Sequence, residues 1–434
     1  MQIGATMDLR PALPLALALL SVRPALASTS PIDVSEPPFG NHDWSWLNGS
    51  NSQPSSLLGM GPLTWSVYVD AYLAEQLSNP IDQTIFPTTD APRSNEFSLN
   101  LVSVGVDVTG LDGPIGRLYL QYGSNVETVA GQDLTTQRGF YLTQRAFMPI
   151  QQAAAGWHFH WLHGLNIEAG IFPSYIGIES YLPEENWNYS HSLLSDFTPY
   201  YFSGLRTQIF PSQNLKIEIW VVNGWQTFGQ WEEAKSVGYL LNWRPRGWIS
   251  LSHSSFAGQE VPLDPGSLRL YSDNSAQVEY LHGSHPGQIK SAAFCLVGDV
   301  GYEKRGDAPS GPMGGGSLSH RIAWNDRWAT ALRADIFYDQ TQALVIQLPQ
   351  GSPYSLPNKG PFLGGGLTAT QDFWPSPWLL VRLEYAHRAA NIPYFSGRGG
   401  ITGPNGLPAA NPADFTPDLR NTDDRFILDV TLRL

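Results

Sequence analysis

The chain contains little cysteine, little charge and no long hydrophobic run of the kind that forms membrane helices. Cys295 is the only cysteine among 434 residues, which excludes an intramolecular disulfide framework and any metal site built from several cysteines. Charged residues make up only 15% of the chain, and a mean hydropathy of −0.19 argues against a bundle of membrane-spanning helices. The 25 basic residues are outnumbered by 38 acidic ones, giving a net charge of −13. This balance argues against a nucleic-acid-binding protein, because such proteins carry a basic patch.

Turn-forming residues, by contrast, are abundant. The chain has 42 glycines and 34 prolines, which makes long helices unfavourable and frequent turns expected. Its length would allow two or three soluble domains, and equally one large β-barrel. Composition alone does not decide between these two classes.

The first 27 residues contain the three parts of a secretory signal peptide. Arg10 supplies positive charge, residues 11–22 form an apolar run, and Ala25-Leu26-Ala27 is a small-x-small cleavage site. The run is too short to cross a bilayer as a helix, which takes about 20 residues. We therefore expect residues 1–27 to be a signal peptide that directs export and is then removed. Residues 28–62, rich in Ser, Pro, Gly and Asn, are expected to form a periplasmic lead-in.

Beyond residue 62 the recurring pattern is alternation of apolar and polar residues with a period of two, which is typical of β-strands. The C-terminal segment shows it most clearly, with Phe426, Leu428, Val430, Leu432 and Leu434 on one face and Asp429, Thr431 and Arg433 on the other. The same alternation occurs in residues 165–171, 215–221, 328–338 and 379–385. A soluble β-sandwich would also alternate in this way, so the pattern by itself predicts strands and not yet a membrane barrel.

The connections between the strands are more informative, because short turns and long polar loops follow each other in strict alternation. Short turns occur near 111–116, 163–164, 211–214, 244–247, 284–287, 325–326 and 374–377. Longer polar segments occur near 75–94, 124–150, 174–198, 225–234, 256–273, 305–315, 339–362 and 389–423. Outer-membrane barrels have short periplasmic turns and long external loops. The sequence therefore predicts an all-β fold, an antiparallel transmembrane β-barrel of about 16 strands over residues 63–434.

Several segments resemble a known family. Residues 170–179 (GIFPSYIGIE), 186–192 (NWNYSHS) and 222–225 (VNGW) resemble the OmpL-like β-barrel porins, and residues 65–72 (WSVYVDAY) look like the first strand of that family. The resemblance is sharp over roughly residues 165–225. It implies an outer-membrane porin of a Gram-negative bacterium that forms a water-filled channel for passive diffusion of small hydrophilic solutes or ions, with no cofactor.

If the apolar face of each strand meets lipid, the polar face lines the lumen, because a charged residue facing lipid at mid-membrane costs about 2–4 kcal/mol. The inward charged candidates are Glu168, Arg206, Lys216, Glu218, Arg333, Asp335, Arg382, Glu384, Asp429 and Arg433. An alternative interpretation is that most of these residues, such as the pairs Lys216–Glu218 and Arg333–Asp335, only solvate the barrel wall.

A constriction is expected from the long segment 174–198 if it folds inward. Its titratable side chains are Glu179, Glu184, Glu185, His191 and Asp196. We expect these acids to face wall arginines such as Arg206 across a narrow opening, since rings of charged side chains set pore selectivity. The excess of acidic residues favours a mild preference for cations.

The sequence gives weaker support for an enzyme than for a channel. His158 and His160 lie on one strand face and could chelate a metal, but no third ligand is evident nearby. Ser190-His191-Ser192 cannot itself form a catalytic pair, because adjacent residues of an extended segment point in opposite directions. We therefore expect neither an enzyme nor a metal site.

The expected partners are outer-membrane lipid, small hydrophilic solutes or ions, and the barrel assembly machinery, with a homotrimer as the expected assembly and no nucleic acid. The alternative function is a non-conducting barrel that acts as an adhesin, receptor or surface scaffold through its loops.

Overall fold

A computed structural model describes most of the chain after residue 57. The described residues are 58–108, 113–131, 133, 135, 144–212, 214–230, 233–261, 264–283, 289–306, 308–348, 360–408, 411 and 414–434. The expected signal peptide and nearly all of the expected lead-in lie outside them. Gly59–Met60 forms a small hairpin with Leu63 and Thr64 at the start of the first long strand.

Sixteen long strands run through the described residues. They are β1 (Leu63–Gln76), β2 (Glu96–Val108), β3 (Pro114–Tyr122), β4 (Ile150–Phe159), β5 (Leu165–Pro173), β6 (Tyr201–Ser212), β7 (Leu215–Val222), β8 (Ser236–Arg246), β9 (Ile249–Gly258), β10 (Leu268–His282), β11 (Ser291–Lys304), β12 (Gly311–Ala323), β13 (Trp328–Asp339), β14 (Phe362–Ser376), β15 (Leu379–Ala390) and β16 (Thr422–Arg433).

These strands form one closed antiparallel sheet. Each strand pairs with its neighbours in sequence, and β16 pairs with β1 from Arg425 opposite Gln76 to Arg433 opposite Tyr68, which closes the barrel. Short and long connections alternate except at β10–β12, where the expected short connection 283–290 has 8 residues and the expected long one, 305–310, has 6. The strand number and the closure predicted from the sequence are confirmed, and strict alternation in length is not met at that pair.

The two faces of the wall differ in the way the alternation predicts. On β16, Phe426 and Leu428 are 46% and 42% exposed on the outside, whereas Asp429 is completely buried inside. Exposed aromatic side chains lie near strand ends, as in the aromatic girdles of membrane barrels. They include Trp65, Tyr122, Trp157, Trp161, Trp243, Trp248, Tyr280, Tyr302, Trp328 and Tyr338. An apolar exterior with aromatic ends is the surface that lipid requires.

The long connections also contain short elements of secondary structure. These are α1 (Ser124–Ala130), α2 (Gln144–Phe147), α3 (Leu193–Asp196), the 3₁₀ turns Pro183–Glu185 and Pro404–Gly406, and the paired strands Phe395–Ser396 and Leu419–Arg420. None of the helices in the described part of the chain is both long and apolar enough to span a membrane.

The long connection between β5 and β6, residues 174–200, lies inside the barrel; we call it the inner loop. Its residue Phe197 packs against Phe337 of β13 and Phe362 of β14, with ring centroids 4.8 and 5.6 Å apart. Ser192 caps the N-terminus of α3 by accepting a hydrogen bond from the amide of Ser195 at 3.2 Å. The inner loop is therefore held by an apolar contact as well as by the polar contacts described below.

Candidate functional site

Arginines of the barrel wall donate hydrogen bonds to the backbone of the inner loop. The Arg333 guanidinium on β13 donates to the carbonyl of Ser190 at 2.6 Å and to that of His191 at 2.9 Å, and it pairs with Glu179 at 3.1 Å. Arg382 on β15 donates to the carbonyls of Pro183 and Asn186. A guanidinium suits this role because its five donors can reach several acceptors at once.

Two further wall arginines form ion pairs with acids of the inner loop. Arg388 on β15 pairs with Asp196 at 2.9 Å. Arg433 on β16 pairs with Glu184 at 3.0 Å and also contacts Glu185. The loop acids therefore contact wall bases directly, with no open space between the charges.

Wall carboxylates accept hydrogen bonds from backbone amides of the same loop. Glu384 on β15 accepts from the amide of Tyr189 at 2.6 Å and from that of Ser190 at 3.0 Å. Asp335 on β13 accepts from the amide of Leu193 at 3.1 Å. Together with the arginines, these carboxylates attach the inner loop to the wall formed by β13–β16.

His191 connects the inner loop to the first long connection, residues 77–95. Its Nδ1 contacts the Asp90 carboxylate, and its Nε2 lies 2.7 Å from the carbonyl oxygen of Ser180. Burial by itself lowers the pKa of His191, but the charge of Asp90, helped by Glu179 and Asp196, outweighs burial and raises the pKa to about 9. His191 is therefore an imidazolium at neutral pH, with both ring nitrogens donating.

Arg206 lines the same cavity as the loop acids Glu179 and Glu185, but it forms its ion pair with an acid of the wall. Its guanidinium on β6 pairs with Glu168 of the adjacent strand β5 at 2.6 Å, and Glu168 also binds Arg117 of β3 at 2.9 Å. Lys216 and Glu218 on β7 pair with each other at 3.0 Å. The loop acids pair instead with arginines of β13–β16: Glu179 with Arg333, Asp196 with Arg388, and Glu185 with Arg433.

The ten predicted pore-lining residues are all buried inside the barrel. Five of them, Arg333, Asp335, Arg382, Glu384 and Arg433, are covered by the inner loop that they contact. Asp429 accepts a hydrogen bond from Thr431 Oγ1. The other four form the ion pairs of β5–β7. The expectation that they all face open lumen is therefore wrong, because the inner loop covers half of them.

A cavity lies on the other side of the inner loop, between it and strands β3, β4 and β6–β9, and we call it the lateral cavity. Its volume is about 140 Å³. Arg206, Lys216 and Glu218 line it from the wall, and Glu179 and Glu185 line it from the inner loop. Glu184, His191 and Asp196 are not part of its lining.

Sequence reasoning missed Thr89 and Asp90, which bind the inner loop from residues 77–95. Thr89 Oγ1 donates to Asp196 at 2.6 Å. Neither residue lies in an alternating segment, so no periodic signal marks it. Asp70 on β1 also binds the loop, by accepting a hydrogen bond from the Tyr189 hydroxyl at 3.2 Å. Unlike Thr89 and Asp90, it lies in an alternating segment.

The histidines and serines considered for metal binding or catalysis do not form such sites. The rings of His158 and His160 lie 5.0 Å apart, and no group of three or more metal-ligating side chains occurs within the described ranges. The nitrogens of His191 are engaged by Asp90 and Ser180 and not by Ser190.

Comparison with known proteins identifies the family. The family model described as "Putative beta-barrel porin-2, OmpL-like" matches residues 62–410. The chain belongs to this family. No curated protein sequence matches this porin at a significant level. The family and the closed barrel place the porin in the outer membrane, and they indicate a channel rather than an enzyme.

Solved outer-membrane barrels share the fold of this porin. Outer-membrane expressed OmpT of Vibrio cholerae is 8% identical with a TM-score of 0.50, covering 87% of this chain and 99% of that one. An anion-selective porin from Comamonas acidovorans is 9% identical with a TM-score of 0.50, covering 86% and 99%. At such low identity the likeness shows the fold alone.

Proposed function

We propose that this porin conducts small hydrophilic solutes and ions by passive diffusion, along a path between the inner loop and the wall formed by β3, β4 and β6–β9. The observation that carries the proposal is the lateral cavity, which lies away from the charged attachments of the loop. The loop's contacts with Arg333, Glu384, Arg388 and Arg433 lie toward β13–β16. Toward the cavity the loop is held by Tyr175, which stacks on Phe202 of β6 and Trp220 of β7.

The inner loop then acts as the constriction. It narrows the barrel from one side. Because it is bonded to the barrel wall, the channel beside it should keep a constant width. Its acids are paired with wall bases, so they contribute little net charge to the path. A mild preference for cations remains our proposal, on the ground that the whole chain carries a net charge of −13.

The test is reconstitution of the purified, folded protein in a planar lipid bilayer. Passive conduction predicts stepwise currents that rise linearly with voltage, with a reversal potential in a KCl gradient that reports the cation preference. Persistent absence of current from folded protein would contradict the proposal and favour the alternative of a non-conducting adhesin, receptor or scaffold.

We also propose a homotrimer that forms through the outer face of β9 and β10. Midway along these strands His253 contacts the Tyr239 hydroxyl and Asn274 Oδ1, each at 2.8 Å, on a face that otherwise meets lipid. A protein neighbour would remove these polar groups from lipid, where uncovered polar groups are unfavourable. Native mass spectrometry should show trimers, and the double variant His253→Leu with Asn274→Leu should shift them to monomers. A monomeric wild-type protein would contradict this assembly.

A further inference from the structure

Four polar atoms of residues that line the lateral cavity are buried without a hydrogen-bond partner in the described part of the chain. They are the side-chain carbonyl oxygens of Gln121, Gln152 and Asn242 and the hydroxyl of Tyr181. Buried polar groups are normally paired, so each unpaired one needs an explanation. Their shared location in one cavity suggests a ligand that supplies the missing partners.

The hydrogen-bonding role of Gln121 follows from its other contact. Its Nε2 donates to the carbonyl oxygen of Met148 at 2.8 Å. Rotating the amide would bring two oxygens together, so the free atom is the carbonyl oxygen, an acceptor. With Gln152 and Asn242, the cavity offers three amide acceptors, whereas the Tyr181 hydroxyl can donate as well as accept.

The charged side chains that line the cavity are all paired with each other or with the wall. Arg206 pairs with Glu168, and Lys216 with Glu218. From the inner loop, Glu179 pairs with Arg333 and Glu185 with Arg433; these two loop acids line the cavity beside Arg206, Lys216 and Glu218. A charged solute that loses its water here would find no unpaired opposite charge to replace it.

The remaining lining is apolar and partly aromatic. Tyr181, Tyr200, Trp220 and Phe228 contribute ring surface, and α1 contributes aliphatic side chains such as Val129. Cavities with mostly apolar walls and a few polar groups are typical of small-molecule sites. Apolar surface of this kind suits the C–H faces of a sugar ring while hydroxyl groups bond the amide oxygens.

We propose that the lateral cavity is a binding site for a neutral polyhydroxylated solute of about monosaccharide size. Its hydroxyls donate to Gln121, Gln152 and Asn242 and accept from Tyr181, and it brings no charge that the paired lining would have to neutralise. The inference rests on the proposed channel function, because the site lies on the proposed path and gives that path a substrate class.

The first experiment compares three probes that share a six-carbon skeleton: glucose, the cation glucosamine and the anion gluconate. Flux of each radiolabelled probe into proteoliposomes is measured with the full-length exported protein. We expect glucose to enter about five times faster than either charged probe, with a rate that saturates at high concentration as binding requires. Equal rates, or faster entry of either charged probe, would overturn the inference.

The second experiment removes single acceptors. Gln121→Leu and Asn242→Leu should each lower the ratio of glucose flux to KCl conductance about threefold, the effect of one lost hydrogen bond. Gln277→Leu is the matched control, because Gln277 on β10 is also buried with an unpartnered carbonyl oxygen but does not line the lateral cavity. It should leave the ratio unchanged, and an equal fall in the control would contradict the assignment.

Different results separate the channel function from the substrate class. Absence of KCl conductance in folded wild-type protein contradicts the channel function itself. Normal KCl conductance without a preference for glucose contradicts only the assignment of the substrate class. If both leucine variants fail to fold, the three-probe comparison on the wild-type protein still decides.

Discussion

At the scale of single residues, the inner loop depends on a charged histidine that lies in the barrel interior. His191 is 1% exposed, and both of its ring nitrogens face acceptors, Asp90 and Ser180. Its pKa is raised from 6.5 to about 9, which corresponds to about 3 kcal/mol of favourable interaction with the protonated form. The stabilisation is complete below pH 6.5 and is lost as the pH rises through 9.

This titration can be measured as a difference between two proteins. The melting temperature of wild-type protein should exceed that of His191→Gln by the largest margin below pH 6.5. The margin should shrink between pH 6.5 and about 9 and stay constant above that range. Circular dichroism melts across pH 5–10 test this, and a margin independent of pH would contradict the imidazolium at position 191.

A second prediction concerns the buried cluster of Arg117, Glu168 and Arg206. Glu168→Gln leaves two buried guanidinium groups without their shared carboxylate, and breaking a buried pair costs about 3–5 kcal/mol. Urea unfolding of the reconstituted barrel should show this loss. Glu96→Gln is the control, because its partner Arg93 is about one-third exposed and exposed pairs contribute about 1 kcal/mol or less. Equal losses of unfolding free energy in the two variants would contradict the larger contribution of the buried cluster.

The sequence predicted which side of the barrel wall a side chain faces. It did not predict which residue that side chain binds. Alternation gives the inward direction of Arg206, Lys216 and Arg333, because successive strand side chains point to opposite faces. Partners depend on which wall the inner loop approaches. The sequence offers no periodic signal for that, so alternation could not show that Arg206 pairs with Glu168.

At the scale of elements, the wall strands are determined by nearby residues in the sequence, whereas the position of the inner loop is determined by distant ones. The strands follow from period-two patterning and from turn residues, so their number and order are readable from the chain. The position of the inner loop follows from contacts with residues more than a hundred positions away, such as Arg333 with Ser190 and Arg388 with Asp196. Pattern reasoning identified the correct segment but not the wall that it contacts.

Detaching the inner loop should widen the channel. The double variant Arg333→Ala with Arg388→Ala removes bonds to the carbonyl of His191 and to Asp196. We expect its single-channel conductance to rise about twofold and its current noise to increase, because the loop gains freedom beside the path. Arg321→Ala is the control, since Arg321 pairs with Asp372 of the wall at 3.6 Å. Unchanged conductance in the double variant would contradict the role of the loop as constriction.

At the scale of the whole molecule, the composition now has a physical reason. One face of each strand meets lipid and carries almost no charge, so charged residues are confined to the interior and the connections. Glycine and proline are concentrated where fifteen connections reverse the chain. The interior acids and bases largely neutralise each other, so the net negative charge favours cations only mildly.

The central claim is that solutes pass along β3–β9 and not along β13–β16, and the single native cysteine makes it directly testable. Cys295 is buried, and wild-type protein treated with the same reagent gives the baseline for a cysteine introduced elsewhere. Ser252 lines the lateral cavity, whereas Thr368 on β14 lies beneath the inner loop and contacts Arg333. A bulky methanethiosulfonate reagent added during single-channel recording should reduce the current of Ser252→Cys by more than about half and leave Thr368→Cys unchanged. Block of Thr368→Cys, with no effect on Ser252→Cys, would contradict the account.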